Sequence, residues 1–442
     1  MKLKYILPAV ALLLSPLTAS AQANGTNSTY SRFGLGLLCD QSQSYNRSMA
    51  GVAQALRSGS RVNMQNPASY SAMDSLTFLF DVGMGLQRTR YTQGSSHVAA
   101  NNTSFNQVNA AFRVARNLGM SFGFQPYTKI GYSFQQSRDV GVDPLTNMVI
   151  SNTFSYAGSG GLHQAYIGAG WQPFKGFSIG ANVGILWGSL YHQLTQSFEE
   201  NGTTNTTSFS SLRTYYYTSV LSWKGDVALQ GQIRLNENDF LTLGATVGIG
   251  HDLGGESTIL RTAASGDSIK GSTLKGYSIP MTYSVGVAWS RTNKLTIAAD
   301  VIMEQWSKSK TPHFTASDYS YTPQTGDYSD RWCAKVGAEF IPERYASQYL
   351  RNVYYRVGAY FSTPFMKIPM EGQMLAGPCE YGLTAGLGLP IANRYNNRSY
   401  VNVGVGWSRR DARAAGLIDE NILSVHVGLT FNERWFMKWK FK

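Results

Sequence analysis

Charged residues are scarce in this 442-residue sequence. Asp, Glu, Lys and Arg together make up 14% of it, where about a quarter is usual for a soluble domain. Cysteine is scarcer still, with Cys39, Cys333 and Cys379 and no CxxC spacing. This odd set predicts neither a disulfide framework nor a metal site, and it leaves open which pair could bridge in an oxidising compartment. After the first residues no apolar run approaches the roughly 18 residues of a spanning helix, which excludes a helical membrane protein.

The motifs of catalysis and of cofactor binding are also missing. The six histidines are isolated from one another. No strand face carries a Ser and a His together with an orienting acid, although His426 and Asp300 could meet in space. The glycine-rich stretch 248–255 lacks the Lys of a phosphate loop. The net charge of +12 is scattered along the chain, so nucleic acid is not an expected partner. We therefore expect no enzyme activity, no metal and no cofactor.

The N-terminus has the pattern of a secretory signal peptide. Lys2 and Lys4 precede an apolar run that ends at Leu17, and Ala19-Ser20-Ala21 forms a cleavage site before Gln22. The run is too short to span a membrane, and the small-residue site follows it at once. We predict a signal peptide over residues 1–21. Gln22 stands where a lipoprotein would need a Cys.

Most of the remaining chain alternates apolar and polar residues with a period of two. The last such segment has one apolar face, formed by Leu423, Val425, Val427, Leu429 and Phe431. About fourteen segments of this kind follow residue 76, and short links alternate with long polar ones, as in outer-membrane barrels. The abundance of aromatic residues (13%) and glycine (45 residues) fits that class. We predict an all-β fold, a transmembrane antiparallel β-barrel over residues 76–442. A secreted all-β domain is the soluble alternative.

The stretch 47–75 is the one long piece that does not read as strand or as a link between strands. Ser48 can cap a helix whose short apolar stripe ends near Gly59. Asn66-Pro67-Ala68 then signals a turn before the first strand. A segment this small and weakly amphipathic cannot hold a fold by itself. We predict that residues 22–75 form an N-terminal hatch, or plug, in the lumen of the barrel.

The same alternation assigns several charged residues to the inner face. An Arg or Lys that faces lipid at mid-depth would cost about 2–4 kcal/mol, so the inward assignment is the favourable one. These charges either pair with one another and with the main chain of the plug, or include contacts to a ligand carboxylate. Arg113, Lys335 and Arg356 are the candidates for the second role.

Several features of the chain resemble a known family of membrane proteins. Asn66-Pro67-Ala68 is similar to the NPA motif at the end of that family's hatch, and residues 48–53 look like the small-residue helix ahead of it. Residues 30–34 and 66–71 look like its Bacteroidetes branch, and the strand count equals that of its barrel. The sequence thus resembles the FadL/OmpP1/TodX outer-membrane transport family, over nearly all of the mature chain.

The resemblance gives the third predicted strand, residues 118–135, a role. In the family this strand bends inward and opens a gap through which an apolar ligand leaves sideways into the membrane. Pro126 lies in the middle of the strand and cannot donate to the ladder, and Gly123 precedes it. We identify Gly123 and Pro126 as the strand kink of a lateral exit. The alternative is an ordinary bulge without a gap.

The resemblance implies an outer-membrane channel of a Gram-negative bacterium for passive uptake of hydrophobic small molecules, similar to long-chain fatty acids or aromatic compounds. The expected partners are that ligand, outer-membrane lipid with lipopolysaccharide, and the barrel-assembly machinery, whose recognition signal the aromatic C-terminal end resembles. Some relatives in the Bacteroidetes branch instead bind secreted proteins. The alternative function is therefore a shuttle or plug of a type IX-like secretion system.

Overall fold

The computed structural model describes residues 25–142, 148–200, 203–204, 211–315, 317–344, 346–370, 372–391, 399–412 and 416–434. The predicted signal peptide and the aromatic C-terminal end, residues 435–442, lie outside the described residues.

Fourteen long strands in the described residues form one closed antiparallel barrel, which confirms the predicted fold class. The third strand consists of two pieces, β3a and β3b. The strands are β1 (Thr77–Gln93), β2 (Ser96–Ala115), β3a (Leu118–Pro126), β3b (Thr128–Val142), β4 (Val149–Phe174), β5 (Phe177–Glu200), β6 (Leu212–Arg234), β7 (Asp239–Gly248), β8 (Thr282–Arg291), β9 (Leu295–Glu304), β10 (Arg331–Phe340), β11 (Tyr354–Ser362), β12 (Cys379–Ile391), β13 (Ser399–Asp411) and β14 (Asp419–Arg434). The barrel closes where β1 pairs with β14, from Thr77 opposite Arg434 to Thr92 opposite Asp419.

The two ends of the barrel differ in the links between strands. Short links at 116–117, 175–176 and 235–238 define the turn end, and the long links 249–281, 305–330 and 363–378 define the loop end. The long links contain further short strands, which form small hairpins. These are His251–Asp252, Gly255–Ala263, Ser268–Leu274, Ser278–Ile279, Lys310–Thr315, Ser320–Thr325, Lys367–Met370 and Gln373–Ala376. Thr203–Thr204 is a further short strand, and the 3-10 turns Trp306–Lys308 and Tyr349–Asn352 lie in links.

The outer face of the wall is apolar because every second side chain along a strand points outward, and these side chains are mostly apolar. On β14 the exposed fractions of Leu423, Val425 and Val427 are 54%, 37% and 46%, whereas His426, Thr430 and Asn432, at the alternate positions, are buried. The apolar positions extend from Leu423 to Phe431, close to the about 9–11 residues of a membrane-crossing strand. Exposed apolar surface on every strand is unfavourable in water and favourable against lipid. Among the described residues, no helix is long and apolar enough to cross a membrane.

The strand boundaries differ from the prediction at three places. The third strand is interrupted at Tyr127. The alternation also predicts strands over 239–252 and 277–291, but β7 ends at Gly248 and β8 begins only at Thr282. The loop-end part of β6 pairs instead with the outer hairpin strand Gly255–Ala263. The link 341–353, at the turn end, is longer than its neighbours. Each departure depends on pairing with a distant strand, which local alternation does not report.

Residues 25–75, which we call the interior segment, lie inside the barrel. Val52, Ala53 and Ala68 are fully buried. The segment starts at the loop end, where the Tyr30 hydroxyl donates to the carbonyl of Ile418 at 2.5 Å. It ends at the turn end, where β1 begins. Its regular structure is limited to the 3-10 turns Thr29–Arg32, Arg47–Met49 and Pro67–Ala72 and the short strand Leu37–Leu38.

The helix predicted between Ser48 and Gly59 is wrong. The chain makes only the 3-10 turn Arg47–Met49, and Ala50 follows in a left-handed conformation with φ of 56°. In an α-helix these N–H groups would donate hydrogen bonds to carbonyls of the helix itself. Here the N–H groups of Ala53 and Gln54 donate to the Asp300 carboxylate of β9, at 2.6 and 3.0 Å. The surrounding wall, rather than one apolar face, therefore sets the local conformation.

Glycines on the inner face allow the interior segment to lie directly against the strands. At Gly180 of β5, an added Cβ would overlap the main chain of Pro67 and Ala68. At Gly231 of β6, an added Cβ would meet no other atom within 4 Å. The close approach of Asn66-Pro67-Ala68 to the wall therefore requires glycine at position 180.

We expect Gly180→Ala to displace the turn Pro67–Ala72 and to destabilise the protein by about 1–3 kcal/mol, the usual cost of overpacking. Hydrogen exchange should show faster exchange of the amides in that turn. Gly231→Ala is the matched control and should leave exchange unchanged. Equal behaviour of the two variants would contradict the close approach.

Candidate functional site

A cavity of about 1110 Å³ lies between the interior segment and the wall in the loop-end half of the barrel. Its lining is mixed in character. Leu37, Phe124 and Trp187 contribute apolar surface, whereas Lys129 and Lys335 contribute charge. The cavity also borders the one place where neighbouring wall strands separate within the described residues.

The wall opens between β2 and β3b. β2 pairs with β3a only from Val108, opposite Phe124, to Ala115, opposite Leu118. Beyond that point β2 continues along β1 as far as Ser96, while β3b pairs with β4. In the described residues no ladder joins β2 to β3b, so main-chain groups of 96–107 face a gap.

The gap begins at the interruption of the third strand. Pro126 ends β3a, and it has no N–H group with which to extend the ladder. The next residue turns to new partners: the Tyr127 N–H donates to the Leu162 carbonyl at 2.7 Å, and its carbonyl accepts from the Cys39 N–H at 2.9 Å. The first residues of β3b then pair with Leu37 and Leu38 of the interior segment. The third strand thus changes partners from the wall to the interior segment.

Gly123 lies within the paired part of β3a, opposite Asn109 on β2 and Tyr166 on β4. It is three residues before Pro126, and a side chain there would overlap Asn109 and the Val108 carbonyl. Gly123 therefore serves close packing of the wall, whereas Pro126 stands at the border of the gap.

Aromatic rings line the outer surface at this border. Phe124 is the central ring. Its centroid lies 5.7 Å from that of Phe105, 5.7 Å from that of His163 and 5.8 Å from that of Trp187. The four rings come from four successive strands. These four rings form a continuous surface next to the gap, which we call the aromatic sill. All four residues line the cavity.

Lys129 is the basic residue closest in sequence to the interruption. It lines the cavity and is paired with Leu37 through the main chain. Its ammonium group makes no hydrogen bond or ion pair with any residue that the structure describes. A cation on the wall of a cavity without a counter-ion is suited to an anionic group of a ligand. The sequence prediction did not include Lys129. Its position three residues after Pro126 is the signal that could have pointed to it.

The three basic residues predicted to contact a ligand carboxylate lie apart from one another. Arg356 is 2% exposed, and its guanidinium donates to Glu339 at 2.7 Å and to Asn402 at 2.6 Å. Arg113 lies near the turn end and donates to the Ala115 carbonyl at 3.1 Å. Lys335 lines the cavity and contacts the Gly51 carbonyl at 3.4 Å.

Other inner-face charges hold the interior segment in place. The Arg61 guanidinium donates to both oxygens of Glu339 at 2.8 Å, so this carboxylate joins the segment to Arg356 and the wall. The Asp81 carboxylate accepts from the Ser44 hydroxyl at 2.9 Å. His426 contacts Ser48 at 2.9 Å and does not meet Asp300, so the one considered histidine–acid pair does not form.

Asn66 organises the turn that ends the interior segment. Its side-chain carbonyl accepts from the Ala68 N–H at 3.0 Å, and its side-chain amide donates to the Gln54 carbonyl at 2.7 Å. Pro67 occupies the first position of the turn, where the missing N–H costs nothing. Asn66-Pro67-Ala68 thus ties two parts of the interior segment together beside the wall.

A small polar cluster occupies one hairpin of the loop end. The ring of His313 lies 2.6 Å from the Asp327 carboxylate. The hydrogen bond to Asp327, aided by the charge of that carboxylate and opposed by burial, raises the pKa of His313. Within the described residues no group of three His, Cys, Asp or Glu side chains could hold a metal ion, and the three cysteines are free.

The sequence model of the BamG family matches residues 2–442. The chain belongs to the BamG family. No curated protein sequence matches it.

Solved structures show the same fold. The toluene transporter TbuX of Ralstonia pickettii aligns with a TM-score of 0.58 at 14% identity, covering 92% of this chain and 100% of TbuX. A FadL homologue of Pseudomonas aeruginosa aligns with 0.61 at 10% identity, covering 91% and 100%. The toluene transporter TodX of P. putida aligns with 0.57 at 14% identity, covering 90% and 100%. The resemblance to the FadL/OmpP1/TodX family is thus confirmed in the fold.

We expect Glu339→Gln to destabilise this BamG-family protein by roughly 3–5 kcal/mol, because Arg61 and Arg356 would remain buried without their carboxylate. The temperature at which the folded band disappears in a heat-modifiability gel measures the effect. Glu343→Gln is the control. Its exposed pair with Arg351, at 3.0 Å, contributes at most about 1 kcal/mol. Similar losses in both variants would contradict a joining role for Glu339.

Proposed function

We propose that the protein is an outer-membrane channel for passive uptake of hydrophobic small molecules that carry one anionic group. The observation that carries this proposal is the cavity that borders the gap between β2 and β3b. The apolar outer face of the strands supports placement in a membrane. The loop end then faces the outside, as in bacterial barrels with long external links.

The ligand's apolar part would leave the cavity across the aromatic sill. Phe105, Phe124 and Trp187 offer rings on which an alkyl chain or an aromatic group can lie. A sideways path avoids the turn-end half of the lumen, where the interior segment packs against the strands. The predicted domain division, with residues 22–75 as hatch, fits this role because the segment blocks the axial path.

Lys129 is the reason for proposing an anionic group on the ligand. A carboxylate at this point would lose water but gain the ammonium charge, and a charge-assisted hydrogen bond is roughly twice as strong as a neutral one. Lys335 lies on the same cavity and can contribute to the field. Arg356 and Arg113 are not part of the proposed site, because Arg356 is committed to Glu339 and Arg113 lies outside the cavity.

Release would require only local movement. The interior segment is fixed by Asp300, Glu339 and Asp81, so its displacement as a body would break several buried polar contacts at once. At the gap, by contrast, the segment holds the third strand through the short pairing of Leu37 and Leu38. A shift of those residues would widen the gap without unplugging the barrel.

A second function is protein interaction. Two observations favour it: the lumen is rich in polar contacts that fix the interior segment, and the loop end carries ordered hairpins. The family name BamG points to an association with barrel assembly, and a shuttle or plug of a type IX-like secretion system is a related possibility. Purification from native membranes separates the two functions. Stoichiometric protein without bound lipid would favour interaction and contradict the channel.

Pro126→Val should allow the third strand to continue along β2, because valine supplies the missing N–H. We expect uptake of a fluorescent fatty acid by cells to fall at least about tenfold, with slower hydrogen exchange at 128–131 reporting the straightened strand. Pro369→Val, in an outer hairpin, is the control. A straightened strand with normal uptake would refute the lateral path.

Lys129→Met should weaken binding of a long-chain carboxylate to the purified protein by about tenfold, the effect of one lost charge-assisted contact. Binding of the corresponding alcohol should change little, because only the carboxylate uses the ammonium group. Lys175→Met, in a turn at the opposite end, is the control for net charge. Calorimetric titration measures all three. Equal losses for acid and alcohol would exclude a headgroup role for Lys129.

A further inference from the structure

Two arginines stand side by side on the outer face of β1. Arg88 and Arg90 are exposed, whereas the alternate residues Thr89 and Tyr91 point inward, Thr89 fully buried and Tyr91 near the loop-end interior. Before Arg88 the outer face is still apolar: Leu86 stands two positions earlier, and Met84, four positions earlier, is 61% exposed. The pair therefore marks the point on β1 where the apolar band gives way to charge.

The neighbouring strands place polar and aromatic groups at the same height. Arg88 lies opposite Leu423 of β14, which lies opposite Trp407 of β13. One step closer to the loop end, Arg90 lies opposite Asn421, which lies opposite Arg409. The Trp407 indole N–H donates to Asn421 at 2.9 Å. A tryptophan with its N–H at the polar edge is typical of a membrane interface.

Arg88 and Arg90 have no carboxylate partner among the residues that the structure describes. Arg409 differs, because it pairs with Asp411 at 3.2 Å and Asp419 at 2.9 Å. Those two acids lie at the loop-end side of the row and satisfy Arg409. The two β1 guanidinium groups thus face outward with their donors available, directly above the apolar residues Met84, Val425 and Val427.

We propose that Arg88 and Arg90 bind a phosphate group of lipid A, the lipid part of lipopolysaccharide in the outer leaflet. Arginine offers a planar fork of donors that fits phosphate oxygens in two parallel hydrogen bonds. Two arginines on alternate residues of a strand lie about 7 Å apart at the backbone, so both side chains can reach one phosphate. The acyl chains would lie along the apolar band below.

Phosphate chemistry alone would also fit an anionic glycerophospholipid. The height of the pair decides for lipid A, since the arginines stand at the loop end, which faces outside in the proposed orientation. The inference rests on that placement in the outer membrane and not on transport of a ligand. It assigns the lipid contact to one sector of the barrel, next to the strand that borders the wall gap.

The test is native mass spectrometry of the purified full-length protein titrated with Kdo2-lipid A in detergent. We expect Arg88→Ser/Arg90→Ser to weaken lipid A binding by about tenfold or more. Arg138→Ser/Arg213→Ser, which removes two exposed arginines of β3b and β6, is the charge-matched control and should bind as the wild type does. Arg88→Lys/Arg90→Lys should retain part of the affinity, because the charge remains but the fork is lost.

Further measurements test whether the lipid phosphate, the two arginines and the choice of lipid are as proposed. Lipid A lacking its phosphates should bind the wild type as weakly as intact lipid A binds the serine variant. Equal losses in the two serine variants would show general charge attraction and overturn the site. Tighter binding of phosphatidylglycerol than of lipid A would overturn the choice of lipid. Fatty acid uptake, measured separately, tests the channel, so the two proposals fail independently.

Discussion

Main-chain hydrogen bonding is the constraint on which this structure depends. A strand in an apolar surrounding must pair its N–H and C=O groups on both sides, because no water replaces a missing partner. The pairing of β1 with β14 closes the wall, so that these two strands are not left as free edges. The interior segment has no long ladder of its own, and side chains of the wall accept hydrogen bonds from its main-chain N–H groups. The paired N–H groups at Asp300 are the clearest case.

The gap between β2 and β3b is where this constraint is relaxed. It starts at Pro126, opposite His163, and His163 lies opposite Trp187. These rings lie at the loop-end edge of the apolar band on β4 and β5. Beyond that point the main chain of residues 96–107 pairs with β1 but has no ladder to β3b among the described residues. In the proposed function, this position would let an amphipathic ligand meet charge inside and aromatic surface outside.

The polar contacts of the lumen serve two different purposes. In the turn-end half, charges are paired and buried, so Glu339 with its two arginines fixes the interior segment to the wall. In the loop-end half, Arg410 pairs with Glu380 and Glu420 at 2.9 and 2.8 Å, whereas Lys129 has no counter-ion among the residues that the structure describes. This arrangement fits the proposed channel, in which the interior segment would stay in place while a small region near Leu37 and Leu38 responds to the ligand. It would also reconcile a polar lumen with the hydrophobic ligand that we propose.

The sequence by itself determined the barrel and the number of strands, and it singled out 47–75 as the long stretch outside the strand pattern. Strand alternation is a local property, and the apolar face of β14 is legible from Leu423 to Phe431 alone. The position of Pro126 in the third strand was equally legible. The conformation of residues 48–59 was not, because their N–H groups bond to Asp300, nearly 250 residues away. Only the tertiary structure decided that Arg356 is committed to a buried pair and that Lys129 has no side-chain partner within the described part of the chain. The reason is physical: whether a charge is available depends on which groups the fold brings within hydrogen-bond distance, and those groups lie on distant strands.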